Sequence, residues 1–142
     1  MDIPVVLIAP DGTITDDPVS GCPCIRVSIS ATDDGESTAY EVWALLGTGA
    51  DNIFVELALN DAVGSPVKRF GPVFSATQVI EQAIHEAFIF VKDGPSLKTE
   101  YTALSLPLHQ GRYHIVLGRA FLQAFDFRFD PEKRAFSLSY PS

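Results

Sequence analysis

The chain has 142 residues, of which 46% are hydrophobic and 20% charged, a balance that supports a buried core and excludes a disordered chain. Its formal net charge of −8 repels a phosphate backbone, and its ten Lys and Arg are scattered rather than gathered in a stripe, so no nucleic-acid partner is expected. No run reaches the roughly 18 apolar residues of a membrane span. Ten Gly and ten Pro cut the sequence into short segments, which predicts a mostly β chain forming a single domain over residues 1–142.

Ile3–Ala9 is apolar and reads as a strand, since Asp2 precedes it and neither a basic segment nor a cleavage site accompanies it. Pro10-Asp11-Gly12 turns the chain. In Cys24–Ser30, Ile25, Val27 and Ile29 alternate with Arg26, Ser28 and Ser30, the period of a half-buried strand. Asp33-Asp34-Gly35-Glu36 supplies a hairpin turn, and Tyr40–Leu46 returns, becoming fully apolar toward its end. Cys22 and Cys24, two apart on one strand, are poorly placed for a disulfide, and a reducing, cytoplasmic location is expected.

The returning strand stops at Gly47-Thr48-Gly49-Ala50-Asp51-Asn52, where two glycines allow a tight turn and a close approach of another backbone. Ile53–Ala62 has mixed spacing that favours a short helix ended by Gly64. Lys68–Asp93 reads as a long hairpin with its turn in residues 71–77 and a return strand from about Gln78 to Val91. Helical spacing of Ile80, Ala83, Ile84 and Ala87 is the alternative for that return, but Phe88-Ile89-Phe90-Val91 is strongly β-forming. Asp93-Gly94-Pro95 turns again. Tyr101–Leu108 and His114–Leu117 are expected strands, Ala120–Ala124 one or two helical turns. Phe125, Phe127 and Phe129 alternate with charged residues in a further strand, and Ala135–Tyr140 closes the chain. The whole predicts a closed or orthogonally packed β-barrel with one or two short helices.

Two segments carry the functional reading. Leu45-Leu46-Gly47-Thr48-Gly49-Ala50-Asp51 and Ile115-Val116-Leu117-Gly118-Arg119-Ala120 are each an apolar strand that breaks on glycine, with a hairpin between them. This pair resembles the two signatures of the retropepsin-like (retroviral-type) aspartic peptidases, whose active-site loop reads Asp-Thr-Gly-Ala and whose second signature is an apolar strand running into Gly-Arg and a short helix. The resemblance covers about residues 22–140 and implies the acid-protease β-barrel, no cofactor or metal, and a peptide or protein substrate. It places Gly47 at the catalytic aspartate's position, Thr48 as the loop brace and Gly49 in the tight turn. Ala50, Asp51, Phe74, Ser75 and Ala76 would meet the substrate, the last three from a flap over it. Gly118 and Arg119 would support the loop, Arg119 by pairing with Asp51. Ile53, Phe74, Val116 and Leu117 would wall the pockets.

Metal-free peptide hydrolysis needs an activated water, and two carboxylates forced together share a proton and so serve as base and acid. One loop per chain supplies half of such a dyad, so the resemblance implies a homodimer about a two-fold axis, with terminal strands interleaved at the interface. Glycine at 47 carries no carboxylate, so the form as written is expected to be inactive. Two explanations stand: an inactivating substitution in a peptidase, favoured because the rest of the motif is retained, or a natural pseudopeptidase that binds peptides as an interaction module. His85, His109 and His114 lack ligand spacing.

Overall fold

The computed structural model describes residues 1–33, 40–74, 77–106 and 112–141. In chain order its elements are β1 (Asp2–Ile3), β2 (Val6–Ile8), β3 (Ile14–Thr15), β4 (Cys22–Ser30), β5 (Tyr40–Leu46), β6 (Ile53–Glu56), α1 (Leu57–Val63), β7 (Val67–Phe74), β8 (Val79–Val91), β9 (Ser96–Leu104), β10 (Ile115–Leu117), α2 (Arg119–Leu122), β11 (Asp126–Asp130) and β12 (Ala135–Ser139). None of the described helices is long and apolar enough to cross a membrane.

Six strands close a ring. β4 pairs with β5, β5 with β10, β10 with β6, β6 with β9, β9 with β8, and β8 returns to β4. Within the ring each strand is paired on both sides over part of its length, which covers most of the edge an open sheet would expose. The alternation in β4 does what it predicts. Ile25, Val27 and Ile29 are at most 1% exposed, while Arg26 points outward and its Nε donates to Glu41 Oε1 at 2.9 Å. The core inside the ring also takes Ala44, Leu46, Val55, Ala87, Ile89, Ile115 and Leu117. The turn expected at Asp33–Glu36 lies largely outside the described residues; the two strands flanking it are antiparallel as expected.

β8 is long enough to serve two structures. Its first half pairs with β7 to form a projecting hairpin, and its second half is shared between β9 and β4. The return stretch is therefore strand throughout. β7 is paired on one side, and Pro72 within it suits an edge.

Several expectations need correction. Ile53–Glu56 is strand, not helix: it lies between β10 and β9, and Ile53 and Val55 point into the core. The helix starts at Leu57 and ends at Gly64, whose φ of 72° is the left-handed cap conformation. Ile3–Ala9 is divided by Pro4 into β1 and β2, which belong to different sheets. Finally, the terminal strands meet within one chain. β1 pairs with β12 (Asp2 with Ser139, Ile3 with Leu138), and β11 covers the other side of β12. Within the single chain these strands form a separate sheet of order β1-β12-β11. The strand expected from Tyr101 begins earlier, at Ser96, and its expected end at Leu108 lies outside the described residues.

Candidate active site

β5 and β10 run side by side in parallel, Ala44 opposite Ile115, Leu45 opposite Val116 and Leu46 opposite Leu117. Both strands therefore end at one level of the barrel, and each is followed at once by a glycine, Gly47 and Gly118. The Gly47 N–H donates to Leu117 O at 3.0 Å, and the Ala50 N–H donates back to Gly47 O at 3.1 Å, closing a tight turn. The N–H groups of Arg119 and Ala120, at the start of α2, donate to Ala50 O and Asp51 O, both at 2.9 Å. The Arg119 guanidinium reaches over the loop, its Nη1 donating to Thr48 O at 2.8 Å. Two sequence segments some seventy residues apart are thereby stitched into one unit, mostly through main chain.

The expected tie of Asp51 to Arg119 takes a different form. Among the described residues no ion pair joins them, and the guanidinium donates to the Thr48 carbonyl. Asp51 engages α2 through its own carbonyl instead. Arg119 and Gly118 do stand against the loop. A side chain at Gly118 would overlap Asn52 O and lie 2.7 Å from Ala50 O, so α2 approaches this closely because residue 118 has no Cβ. Sequence reasoning assigned Asn52 no role. Its carbonyl is one wall of the Gly118 slot, and the only sequence signal was the glycine opposite.

The other two glycines of the loop sit differently. Neither has positive φ, which among the described glycines is confined to Gly12 and Gly64, so the backbone does not demand glycine at 47 or 49. A Cβ at Gly49 would meet nothing within 4 Å; this segment is open and exposed, as is Thr48. A Cβ at Gly47 would stand 2.8 Å from Val116 Cγ1.

Two grooves flank the loop. One, of about 460 Å³, runs below Thr48 and Arg119 past Gln123 to Phe125 and Phe127. The other, of about 210 Å³, lies between Asn52 and the hairpin, with Arg69, Pro72, Ile84 and Tyr101 on its walls. Phe74, at the end of β7, is 58% exposed; Ser75 and Ala76 lie outside the described residues. Ile53 and Leu117, expected as pocket walls, are instead core residues, 1% and 0% exposed. A third cavity, of about 320 Å³ beside Arg26 and Trp43, includes no residue of either glycine segment.

Charge is concentrated at the hairpin's base. Lys68 bridges Glu86 at 2.7 Å and Glu100 at 2.9 Å, Arg69 meets Glu100 at 2.7 Å, and Lys98 meets Glu86 at 3.2 Å. Hydrogen bonds from Lys68 hold both carboxyls below their ordinary range, and those carboxylates in turn raise the Lys68 ammonium. Behind the hairpin, Tyr101 donates to Asn60 Oδ1 at 2.6 Å and stacks on His85. His85 Nδ1 lies 3.1 Å from Ser65 O. These contacts tie α1 to β8 and β9. At the loop itself the sole carboxylate is Asp51. No described group of three His, Cys, Asp or Glu side chains could hold a metal ion.

No protein-family model matches the sequence, and no curated protein matches it. Solved structures do match. A retropepsin-like aspartic protease from Rickettsia conorii aligns over 99% of this chain and 91% of its own, with a TM-score of 0.61 at 18% identity. The EIAV protease complexed with the inhibitor HBY-793 aligns over 72% of this chain and 86% of its own, with a TM-score of 0.51 at 22% identity. The chain has the retropepsin-like fold.

Proposed function

We propose that this chain is one subunit of a homodimeric aspartic endopeptidase of the retropepsin type, silent in the present sequence because Gly47 stands where the catalytic carboxylate belongs. One observation carries this reading: the Gly47–Asp51 turn is fastened to Leu117, Arg119 and Ala120 by main-chain hydrogen bonds and to the Arg119 guanidinium through Thr48 O, while the outer side of Thr48 and Gly49 is left open. A second copy brings its own loop against this open side, so that the two positions 47 face each other across the two-fold axis. With an aspartate at each, the pair would share one proton, one carboxylate drawing a proton from water as the other donates to the scissile carbonyl. Thr48 and Gly49 brace the paired loops. Asp51 and Ala50 meet the peptide, as do Phe74, Ser75 and Ala76, and the β7–β8 hairpin covers it as a flap. The peptide lies extended, adding to strand edges as an extra strand. Because β12 is enclosed by β1 and β11, the second copy meets the loops and the groove below Thr48 rather than an interleaved C-terminal strand. The whole chain acts as one domain, in a reducing compartment such as the cytoplasm, consistent with two free cysteines.

The test is to install Asp by Gly47→Asp, establish that the protein is dimeric by sedimentation, and assay peptide libraries from acidic to neutral pH. Cleavage blocked by a peptidic transition-state mimic is expected. A folded, dimeric Gly47→Asp protein that cuts nothing would overturn the peptidase reading. The second reading, a natural pseudopeptidase that binds peptides or proteins without hydrolysis, is favoured by one observation, the place of Val116 at 2.8 Å from the missing Cβ. Micromolar binding of extended peptides to the Gly47 form would support it.

A further inference from the structure

The loop is not simply a peptidase loop with one group deleted. A Cβ built on Gly47 has three neighbours: Leu117 O at 3.9 Å and Ala50 Cβ at 4.0 Å are ordinary contacts, but Val116 Cγ1 at 2.8 Å is far inside the 3.5–4.0 Å optimum for carbon pairs. The obstruction is thus one methyl group. Val116 is not free to swing aside. It is the middle residue of β10, held between Leu45 of β5 and Phe54 of β6. Its side chain is 8% exposed and packs with Ile8, Cys24 and Tyr113 in a smaller cluster apart from the main core. A β-branched side chain in a strand has few χ1 choices, and any turn away from Gly47 moves a methyl within that cluster.

We infer that Val116 is the positioning residue for position 47, filling the space through which a side chain there must leave the backbone. When residue 47 gains a Cβ, either Val116 yields or residue 47 shifts. A shift of residue 47 disturbs the bonds from its N–H to Leu117 O and from the Ala50 N–H to its carbonyl, and with them the aim of any carboxylate it carries. A catalytic group displaced by a fraction of an ångström loses much of its effect. Shortening Val116 removes the conflict without touching the loop. The packing claim stands on the contacts alone; its consequence for hydrolysis rests on the function proposed above.

The test is a double-mutant cycle in the full chain, reading the urea midpoint. Gly47→Ala is expected to lower the midpoint in the parent. In the Val116→Ala background the same change is expected to leave it unchanged or raise it, because Ala restricts the unfolded chain. Additive effects would overturn the inference. In the activity arm, Gly47→Asp/Val116→Ala is expected to exceed Gly47→Asp in kcat by roughly tenfold at similar KM, the pattern of improved alignment and not of tighter binding. Equal kcat in two active proteins would overturn the positioning role. A coupled midpoint with both proteins inactive would support Val116 as the occupant of the space while overturning the peptidase reading. Should Val116→Ala fail to fold, the crystal structure of Gly47→Ala decides. Either Val116 Cγ1 or the backbone of residue 47 must then be displaced by at least about 0.5 Å, and a new Cβ accommodated with neither displaced would overturn the inference.

Discussion

Gly47 and Gly118 end neighbouring parallel strands at the same level of one barrel, yet they are glycines for different reasons. Gly118 faces backbone, the carbonyls of Asn52 and Ala50, which cannot move without undoing the loop. Gly47 faces a side chain, Val116, which can be exchanged. The first glycine is a requirement of the scaffold, the second a property of the site. A motif with the right glycines can therefore be structurally complete and chemically empty, and the two conditions are separable by mutation.

The largest effect is expected at Gly118. Gly118→Ala forces a methyl group against two carbonyls and breaks the Arg119 N–H bond to Ala50 O, a loss of about 3 kcal/mol or more in urea unfolding. A loss below about 0.5 kcal/mol would remove the distinction drawn between the two glycines. Next comes Arg119→Met, which deletes the bond to Thr48 O. That bond is solvent-exposed, so about 1 kcal/mol is expected, together with faster amide exchange across residues 48–50. The cluster behind Val116 can be read chemically through Cys24, whose thiol burial pushes up to about 12 from an ordinary value of 9.0. Cys24 is therefore expected to resist alkylation at pH 8 while the half-buried Cys22 reacts first. In linkage terms, a raised thiol pKa means that the stability Cys24 contributes is fully present below about pH 9, where the unfolded thiol begins to ionise. It falls as pH rises toward 12. Rapid alkylation of native Cys24 at pH 8 would show that this cluster is looser than described. The smallest effect is expected at Gly49. Gly49→Ala meets no atom within 4 Å and should change unfolding by no more than about 0.5 kcal/mol, while weakening the proposed dimer, as sedimentation would read it, if the loops meet there.

How much of this was legible in the sequence follows the same division between local and distant causes. The β4–β5 pair announces itself because Ile25, Val27 and Ile29 alternate cleanly and Tyr40–Leu46 returns after a polar interval. Gly118-Arg119 reads as a strand passing into a helix because an apolar run stops on glycine. Ile53–Glu56 was misread because a strand paired on both sides and half facing the core has no clear period of its own; β9 and β10 make it a strand, and both come much later in the chain. Pro4 hid a change of sheet inside one apolar run. The in-cis pairing of β1 with β12 joins the two ends of the chain and leaves no local trace. At the site, the glycines and Arg119 were visible, but the partner of Arg119 was not: its guanidinium takes a carbonyl, and carbonyls are present at every residue. Val116 could be named as a neighbour of the site, yet its contact with Gly47 depends on the parallel register of β5 and β10, which sequence does not state.

The central claim is that position 47 is half of a pair completed by a second chain. Its most direct measurement mixes Gly47→Asp protein with the Gly47 form, equilibrates the subunits, and follows peptide cleavage against the fraction of Asp-bearing chains at constant total protein. A shared dyad predicts activity rising with the square of that fraction, so that an equal mixture retains about a quarter of full activity. A linear dependence, with about half the activity in the equal mixture, would mean that each chain carries a complete site and would contradict the account.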